Sequence, residues 1–209
     1  MPVVQGREYR NIDAAFTAVE PKEEGDCIVE GYATTFDVPY DFGYGGAKEC
    51  ISRHALDNAD MSDVIFQLNH DGMVFARQRN NTLSIMPDDH GLYVRANLNG
   101  CEQGRQLYEG IKNGLIDRMS WGFIIDEDGW EYDRETRTST ITKVSKVFDV
   151  SAVSLPANED TEIHARSYLD GVIEAERQEL TQRNDQDKRQ RLKSKFLFET
   201  GGVQWHSKQ

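Results

Sequence analysis

The sequence has little of what marks a nucleic-acid-binding, membrane or secreted protein. Its 36 acidic residues outnumber its 24 basic ones, which gives a formal net charge of -12, whereas holding phosphates requires a basic surface. The same negative charge opposes adsorption to an anionic membrane. No apolar run approaches the roughly 20 residues of a bilayer span, and the first ten residues lack the apolar stretch of a signal peptide. We therefore expect a protein that binds neither nucleic acid nor membrane and is not secreted.

Cysteine is also scarce, and its spacing argues against disulfides and zinc sites. The three cysteines, Cys27, Cys50 and Cys101, form no C-x-x-C pair. In a reducing compartment they are expected to be free thiols. A thiol- or metal-binding site made from these cysteines and a histidine is a rival hypothesis, which a cobalt titration would test. We expect no thiolate signal, and predict neither a metal ion nor another cofactor.

The 209 residues are enough for one domain with a buried core plus an extension. Strand-like segments, rich in β-branched and aromatic residues or alternating in polarity, recur over residues 1–160: Ile28–Asp37, Asp63–Asn69, Thr82–Pro87, Gly91–Leu98, Met119–Asp126 and Arg137–Pro156. Helices are predicted over Arg53–Ala59, with Ser52 as N-cap, and over Glu102–Gly114. Residues 1–25 are polar and suggest no strand. The pattern predicts a mainly β, α+β domain.

The character of the sequence changes after residue 160. Residues 161–209 predict a polar helical extension, with a narrow apolar stripe formed by Leu169, Val172, Ile173 and Leu180 and a charged run over Arg183–Lys195. A long polar helix either docks on a partner or stays partly disordered. Both alternatives are open from the sequence.

Three residues could together supply nucleophilic chemistry. Ser120 lies in the strand-like segment R-M-S-W-G-F, but a serine hydroxyl is a poor nucleophile without a base. Of the five histidines, His70 ends the apolar run I-F-Q-L-N and so opens a loop at the end of a strand, where working residues concentrate. Asp149 interrupts an apolar run, although aspartate is depleted in strands. Each residue also fits a structural role in a turn, a backbone hydrogen bond or a salt bridge.

Six segments, in this order, resemble the tailed-phage (HK97-type) prohead protease family, the capsid maturation proteases distantly similar to herpesvirus assemblin. They are E-G-Y-A-T-T-F-D, N-H-D, G-L-Y-V-R-A-N-L, L-Y-E-G-I-K-N-G, R-M-S-W-G-F and F-D-V-S-A-V-S-L-P-A-N. The resemblance runs from about Val29 to Asn158. Each segment is weak alone, but their order and spacing together are specific.

The resemblance implies roles for particular residues. Ser120 corresponds to the nucleophile, His70 to the general base and Asp149 to the acidic third member, where most relatives carry glutamate. Asp71, next to His70, is a rival for the third position. The backbone at Ala157 and Asn158 would supply the oxyanion donors. The implied fold is an assemblin-like antiparallel β-barrel of about seven strands, flanked by helices.

The implied function is a serine endopeptidase that cleaves scaffold protein, or the scaffolding segment of the major capsid protein, during prohead maturation. It would act in the host cytoplasm, inside the procapsid, and the resemblance is compatible with a homo-oligomer. The alternative is a catalytically inactive module of the same fold that takes part in capsid assembly.

Overall fold

The computed structural model describes residues 6–12, 16–21, 26–41, 47–154, 178–179, 181–186 and 188–191. Within these ranges the chain forms thirteen strands, an α-helix, a short 3-10 helix at Gln78–Asn80 and further helical residues at 178–179, 181–186 and 188–191. The elements are β1 Glu8–Ile12, β2 Phe16–Ala18, β3 Ile28–Thr35, β4 Tyr40–Asp41, β5 Lys48–Ile51, β6 Ile65–Leu68, β7 Asp71–Arg77, β8 Leu83–Pro87, β9 Gly91–Asn97, α1 Glu102–Lys112, β10 Arg118–Ile125, β11 Trp130–Asp133, β12 Thr138–Ile141 and β13 Val144–Val153.

The strands pair into three sheets. The largest has five strands in the order β1-β10-β13-β6-β7, and two four-stranded sheets have the orders β11-β12-β5-β4 and β2-β3-β9-β8. Most neighbours are antiparallel, but β13 runs parallel to β6 and β12 runs parallel to β5. The five-stranded sheet carries all three residues that the resemblance implies for catalysis.

The core lies against one face of the five-stranded sheet. Along β10 the side chains of Met119, Trp121, Phe123 and Ile125 are buried, and the rings of Trp121 and Phe123 stack with centroids 3.9 Å apart. Alternate residues of a strand point to opposite faces, so Ser120 and Gly122 lie on the other face. The sequence of β10 therefore separates a packing face from a face that is available for chemistry.

Most of the predicted elements are present. Strands occupy all the segments predicted as strands, and α1 covers Glu102–Lys112 with Leu107 and Ile111 buried. The predicted helix at Arg53–Ala59 is wrong, because residues 53–58 form successive turns. Backbone N–H groups there bond to carbonyls three residues back, as from Ala55 to Ser52 at 2.9 Å. A segment this short gains too few helical bonds to offset the cost of nucleating a helix.

The predicted barrel is not confirmed. The mainly β, α+β class agrees with the structure, but the pairings of the described strands form open sheets and close no barrel. The estimate of about seven strands is also wrong, since the described residues contain thirteen. Several of the extra strands are short or polar, which leaves little hydrophobic periodicity to detect.

β1 is one of the strands that the sequence did not indicate, and its charged residues are buried. Glu8 and Arg10 are 3% and 2% exposed. The Arg10 guanidinium donates to both carboxylate oxygens of Glu49 on β5, at 2.5 and 3.0 Å, and to Glu8 at 2.9 Å. Burial lowers the pKa of Arg10, but the charge and hydrogen bond of Glu49, together with the nearby Tyr40 and Glu8, outweigh this effect and the pKa is raised. This buried network fastens β1 to a strand of a second sheet.

The chain divides into two compact units, Met1–Arg166 and Ser167–Gln209. Residues 178–179, 181–186 and 188–191 of the second unit are helical. The apolar stripe predicted at Leu169, Val172, Ile173 and Leu180 lies outside the described residues. In the part of the chain that is described, no helix is both long and apolar enough to cross a bilayer.

Candidate active site

Strand register brings Ser120 and Asp149 to one face of the five-stranded sheet. β10 and β13 are antiparallel, with Ser120 opposite Ser151 and Gly122 opposite Asp149. Residues directly opposite each other in such a pair point to the same face, so Asp149 lies on the face that carries Ser120. Both residues are fully buried.

A β-bulge in β13 determines which face Asp149 occupies. Phe123 pairs with Val147, whereas the preceding Gly122 pairs with Asp149, so Phe148 is an extra residue. Val147 is in the core, and in a regular strand Asp149 would face the core with it. One inserted residue reverses the alternation. The bulge therefore turns the carboxylate away from the core and towards Ser120.

A tight hairpin places His70 above this face. Leu68 of β6 pairs with Asp71 of β7, and the two residues between them, Asn69 and His70, have φ values of 53° and 57°. Positive φ at both central residues is the requirement of a type I′ hairpin, which asparagine and histidine tolerate better than most residues. The turn is tied to β13, because Asn69 Oδ1 accepts from Ser154 N at 3.0 Å and Asn69 N donates to Ala152 O at 2.9 Å.

The three side chains form one continuous hydrogen-bonded chain. His70 Nε2 lies 2.6 Å from Ser120 Oγ. His70 Nδ1 lies 2.8 Å from Asp149 Oδ2 and 3.0 Å from Asp149 Oδ1. The histidine side chain is 15% exposed. A hydroxyl, an imidazole and a buried carboxylate in this sequence of contacts match the geometry of a nucleophile, its base and the group that orients the base.

Arg7, which directly precedes β1, and Tyr9 of β1 complete the surroundings of the carboxylate, and sequence reasoning missed both. Arg7 Nη2 donates to Asp149 Oδ1 at 2.8 Å, and the Tyr9 ring lies 4.2 Å from the His70 ring, centroid to centroid. Burial raises the pKa of Tyr9, the Arg7 charge opposes this and the Asp149 charge adds to it, so the phenol stays neutral at neutral pH. In a segment classed as polar and irregular, only the alternation around Tyr9 could have indicated them.

The sequence profile of the Caudovirus prohead serine proteases matches residues 14–172 of the chain. That stretch is most of the sequence and contains Ser120, His70 and Asp149. The chain belongs to this family. The resemblance stated from the six segments is thereby confirmed.

Two curated members of the prohead protease group are similar to this family member. The prohead protease of Escherichia phage T5 is 24% identical over 162 residues, which cover 77% of this chain and 73% of that protein. The prohead protease of Enterobacteria phage HK97 is 28% identical over 165 residues, covering 76% of this chain and 69% of that protein. No solved structure matches the chain significantly.

Three further site residues that the sequence suggested for this prohead protease family member are Asp71, Ala157 and Asn158. Asp71, the rival third member, is exposed, and its Oδ1 accepts the backbone N–H of Gly72 at 2.7 Å. Ala157 and Asn158 lie outside the described residues, so the oxyanion donors stay a prediction.

The cysteines of the chain do not point to a metal site. They are free thiols, and burial raises the pKa of Cys27 and of Cys50. Cys101 caps α1 by accepting from Gly104 N at 3.3 Å. Within the described ranges, no group of three or more His, Cys, Asp or Glu side chains could hold a metal ion.

Gly122 leaves the space that the carboxylate occupies, which leads to a prediction for Gly122→Ala. A Cβ at this position would lie 2.5 Å from Asp149 Oδ1 and 2.9 Å from both Arg7 Nε and Tyr9 Cε1. The carboxylate must move, and a displacement of about 1 Å in a catalytic group can cost on the order of 100-fold in rate. We expect a loss of that order in cleavage rate, measured with the protein still folded by circular dichroism.

Gly110→Ala is the matched control for this substitution. Gly110 lies on α1, and a Cβ there would meet only Ile116 Cδ1 at an ordinary 3.8 Å. Alanine in a helix is also favoured over glycine by about 0.5–1 kcal/mol, so this variant should be fully active and slightly more stable. Equal activities for the two variants would show that Gly122 leaves no essential space.

Proposed function

We propose that this chain is a serine endopeptidase of phage prohead maturation, acting on scaffold protein or on the scaffolding segment of the major capsid protein. The observation that carries the proposal is the continuous contact from Asp149 through His70 to Ser120. Membership in the Caudovirus prohead serine protease family supports the same function.

The geometry fits the two proton transfers of serine catalysis. Asp149 accepts the hydrogen bond from His70 Nδ1–H, which leaves the Nε2 lone pair facing the Ser120 hydroxyl. As Ser120 Oγ attacks a peptide carbonyl, Nε2 takes the hydroxyl proton, and it then donates that proton to the leaving amine. Water then attacks the acyl-enzyme. The same imidazole takes a proton from this water and returns it to Ser120 Oγ as the acyl group leaves. Asp149 stabilises the transient imidazolium and holds the ring in place.

Two finer parts of the proposal rest on the resemblance. The backbone N–H groups near Ala157 and Asn158 would stabilise the oxyanion that forms during attack. An assemblin-like arrangement of the strands is likewise an implication of the resemblance.

The relatives support the proposed substrate and place of action. The proteins from phages T5 and HK97 are named prohead proteases, and a protease of the prohead meets its substrates inside the procapsid in the host cell. The competing proposal is a catalytically inactive assembly module of the same fold. The contacts among Ser120, His70 and Asp149 favour the enzyme, because an inactive module has no need to keep them.

Co-expression with the capsid and scaffold proteins of the same phage tests the proposal directly. Mass spectrometry should find fragments with defined new termini in the presence of this chain. The same fragments should be absent when the chain carries Ser120→Ala. Intact capsid and scaffold proteins in both samples would favour the inactive assembly module.

We also propose that residues 161–209 form an extension separable from the catalytic domain, and we predict the outcome of truncation. A chain ending at Arg166, the end of the first compact unit, should fold and keep Ser120 chemistry but lose incorporation into procapsids. An apolar stripe too narrow to found a core can still dock on a partner groove. Incorporation is measured by sedimentation of assembled particles followed by immunoblotting.

Replacing Leu169, Val172, Ile173 and Leu180 by serine in the full-length chain provides the control for this truncation. If the stripe is the docking element, this variant should lose incorporation as the truncation does while keeping the length of the chain. A truncated chain that does not fold would place the extension in the core and our boundary in the wrong position.

A further inference from the structure

We propose that Arg7 is a positioning residue of the catalytic site, which pairs with the buried Asp149 carboxylate and holds it correctly oriented for His70. This inference rests on the proposed serine protease function and extends it to a strand that no motif of the site includes. The family profile matches from residue 14 onwards, so Arg7 and Tyr9 precede the matched stretch.

The first argument is the burial of the carboxylate. Asp149 is fully buried, and an ionised carboxylate away from water is costly unless it is paired and hydrogen-bonded. Before catalysis His70 must be neutral to act as a base, so it offers a hydrogen bond but no charge. Arginine remains protonated throughout the ordinary pH range. Arg7, at 2.8 Å from Asp149 Oδ1, is therefore the permanent positive partner of the carboxylate in the resting enzyme.

The second argument is that the two oxygens of the Asp149 carboxylate have different partners. Oδ1 accepts from Arg7 at 2.8 Å and lies 3.0 Å from His70 Nδ1, whereas Oδ2 lies closer to Nδ1, at 2.8 Å. Anchoring Oδ1 restricts rotation of the carboxylate, so Oδ2 stays directed at the imidazole. The contact of Arg7 with Oδ1 thus fixes the position of His70 Nδ1. Because the imidazole ring is rigid, it also fixes the position of Nε2 next to Ser120.

The third argument is that Arg7 itself is held in place. Its guanidinium carbon lies 4.7 Å from the Phe148 ring centroid and 5.3 Å from that of Tyr9, distances at which a cation is attracted to an aromatic ring. Phe148 is the bulge residue of β13, and Tyr9 packs on His70. The missing side chain at Gly122 leaves room for the Arg7 Nε.

The fourth argument is the fixed register of β1. Tyr9 pairs with Gly122 and Asn11 pairs with Ser120, which places Arg7 and Tyr9 on the side of the catalytic face. The opposite face of β1 carries Glu8 and Arg10, and the Arg10 guanidinium donates to both Glu8 and Glu49. A slip of one residue would exchange these two faces, so the buried network also keeps Arg7 at the carboxylate.

The test uses a fluorophosphonate probe, which reacts with an activated serine and needs no natural substrate. We would measure the rate of Ser120 labelling in the full-length chain for the wild type, Arg7→Met and Arg7→Lys. Arg7→Met keeps much of the length and packing but removes the charge and the donors, and should label about 10- to 100-fold more slowly. Arg7→Lys restores the charge and one donor and should recover part of the rate.

The pH profile of labelling separates positioning from a merely structural role. Among the described residues, the charged or titratable groups around Asp149 are Arg7 just before β1, Tyr9 from β1 and His70 from the hairpin, while β10 contributes the uncharged Gly122 at this point. Removing the positive charge of Arg7 favours proton uptake by the Asp149–His70 pair, because the negative charge is then less compensated. The acid limb of the profile should move to higher pH in Arg7→Met and only slightly in Arg7→Lys.

Arg53→Met is the matched control. Arg53 also pairs with an aspartate, Asp37, at 2.5 Å, but on the exposed surface with the arginine side chain 51% exposed. It should label at the wild-type rate with an unchanged pH profile. Thermal unfolding of all variants is measured in parallel.

The outcomes distinguish this inference from the proposed function. Wild-type chain that is not labelled at Ser120 would contradict the serine protease proposal, and the role of Arg7 would fall with it. Labelled wild type with an equally fast Arg7→Met overturns only the role of Arg7. A third outcome is that Arg7→Met and Arg7→Lys are both labelled slowly, that the acid limbs of their pH profiles are unchanged, and that their unfolding temperatures are lowered by similar amounts. This outcome would also overturn the role of Arg7, because it would show that Arg7 acts through stability.

Discussion

Ser120→Ala is expected to abolish cleavage of the capsid or scaffold substrate while leaving the fold intact. Without the hydroxyl there is no oxygen to form the acyl-enzyme, and loss of a triad nucleophile costs on the order of 10⁶ in kcat. The hydroxyl is hydrogen-bonded to His70 Nε2, and one such bond contributes about 1 kcal/mol to stability. For a chain of this size that corresponds to a change of roughly 2–4 °C in the unfolding temperature. Ser120→Ala should therefore eliminate the cleavage fragments while changing the unfolding temperature only slightly.

Ser139→Ala provides the matched control for this experiment. Ser139 is also a buried strand serine, 1% exposed, but it lies on β12 in another sheet. Its loss should leave cleavage unchanged. Wild-type processing by Ser120→Ala would rule out Ser120 as the nucleophile and remove the basis of the serine protease proposal.

The sequence predicted the parts of the site that lie in strongly patterned strands. The apolar run before His70 and the strand-like segment around Ser120 predicted the two strands. The first of them also placed His70 at the end of its strand. The family resemblance then selected these residues from other serines and histidines. The structure brings Ser120, His70 and Asp149 together in one hydrogen-bonded chain.

What the sequence missed depends on contacts between distant segments. β1 contains Glu8, Arg10 and Tyr9, which a periodicity analysis assigns to an exposed and irregular segment. The burial of Glu8 and Arg10 is offset by pairing, because the Arg10 guanidinium contacts both Glu8 and Glu49, which lies 39 residues from Arg10. Burial of charge that is compensated from another strand leaves no hydrophobic pattern to detect. Arg7, whose side chain is 34% exposed, was missed because its partner Asp149 lies 142 residues away in the sequence.

The orientation of Asp149 could not be predicted either. Strict alternation from Val147 places the carboxylate in the core, and only the extra residue Phe148 turns it to the catalytic face. A bulge depends on the pairing with a neighbouring strand, which no single segment encodes. The alternation fails at the residue that we propose as the third member of the catalytic site, and breaks in local sequence rules are expected at functional sites.

His70→Asn is expected to reduce cleavage nearly as much as Ser120→Ala. Removal of the imidazole eliminates the base, with an expected loss on the order of 10⁶ in kcat. Asparagine is preferred to alanine for the test because His70 has a φ of 57°, a conformation that asparagine tolerates and alanine resists. His70→Ala should be equally inactive but less stable. Measuring cleavage and unfolding temperature for both variants separates the role of the base from the role of the turn.

The orienting carboxylate should be less costly to lose than the base. Asp149→Asn retains the volume of the side chain but not its charge, and an expected loss on the order of 10⁴ would leave activity measurable in a long incubation. Asp71→Asn is the control, because the exposed Asp71 contacts the backbone of Gly72 and contributes nothing to the hydrogen-bonded chain described above. It should cleave at the wild-type rate. Full activity of Asp149→Asn together with an inactive Asp71→Asn would transfer the third role to Asp71, and the contact between Arg7 and Asp149 would then serve only to hold β1 against β13.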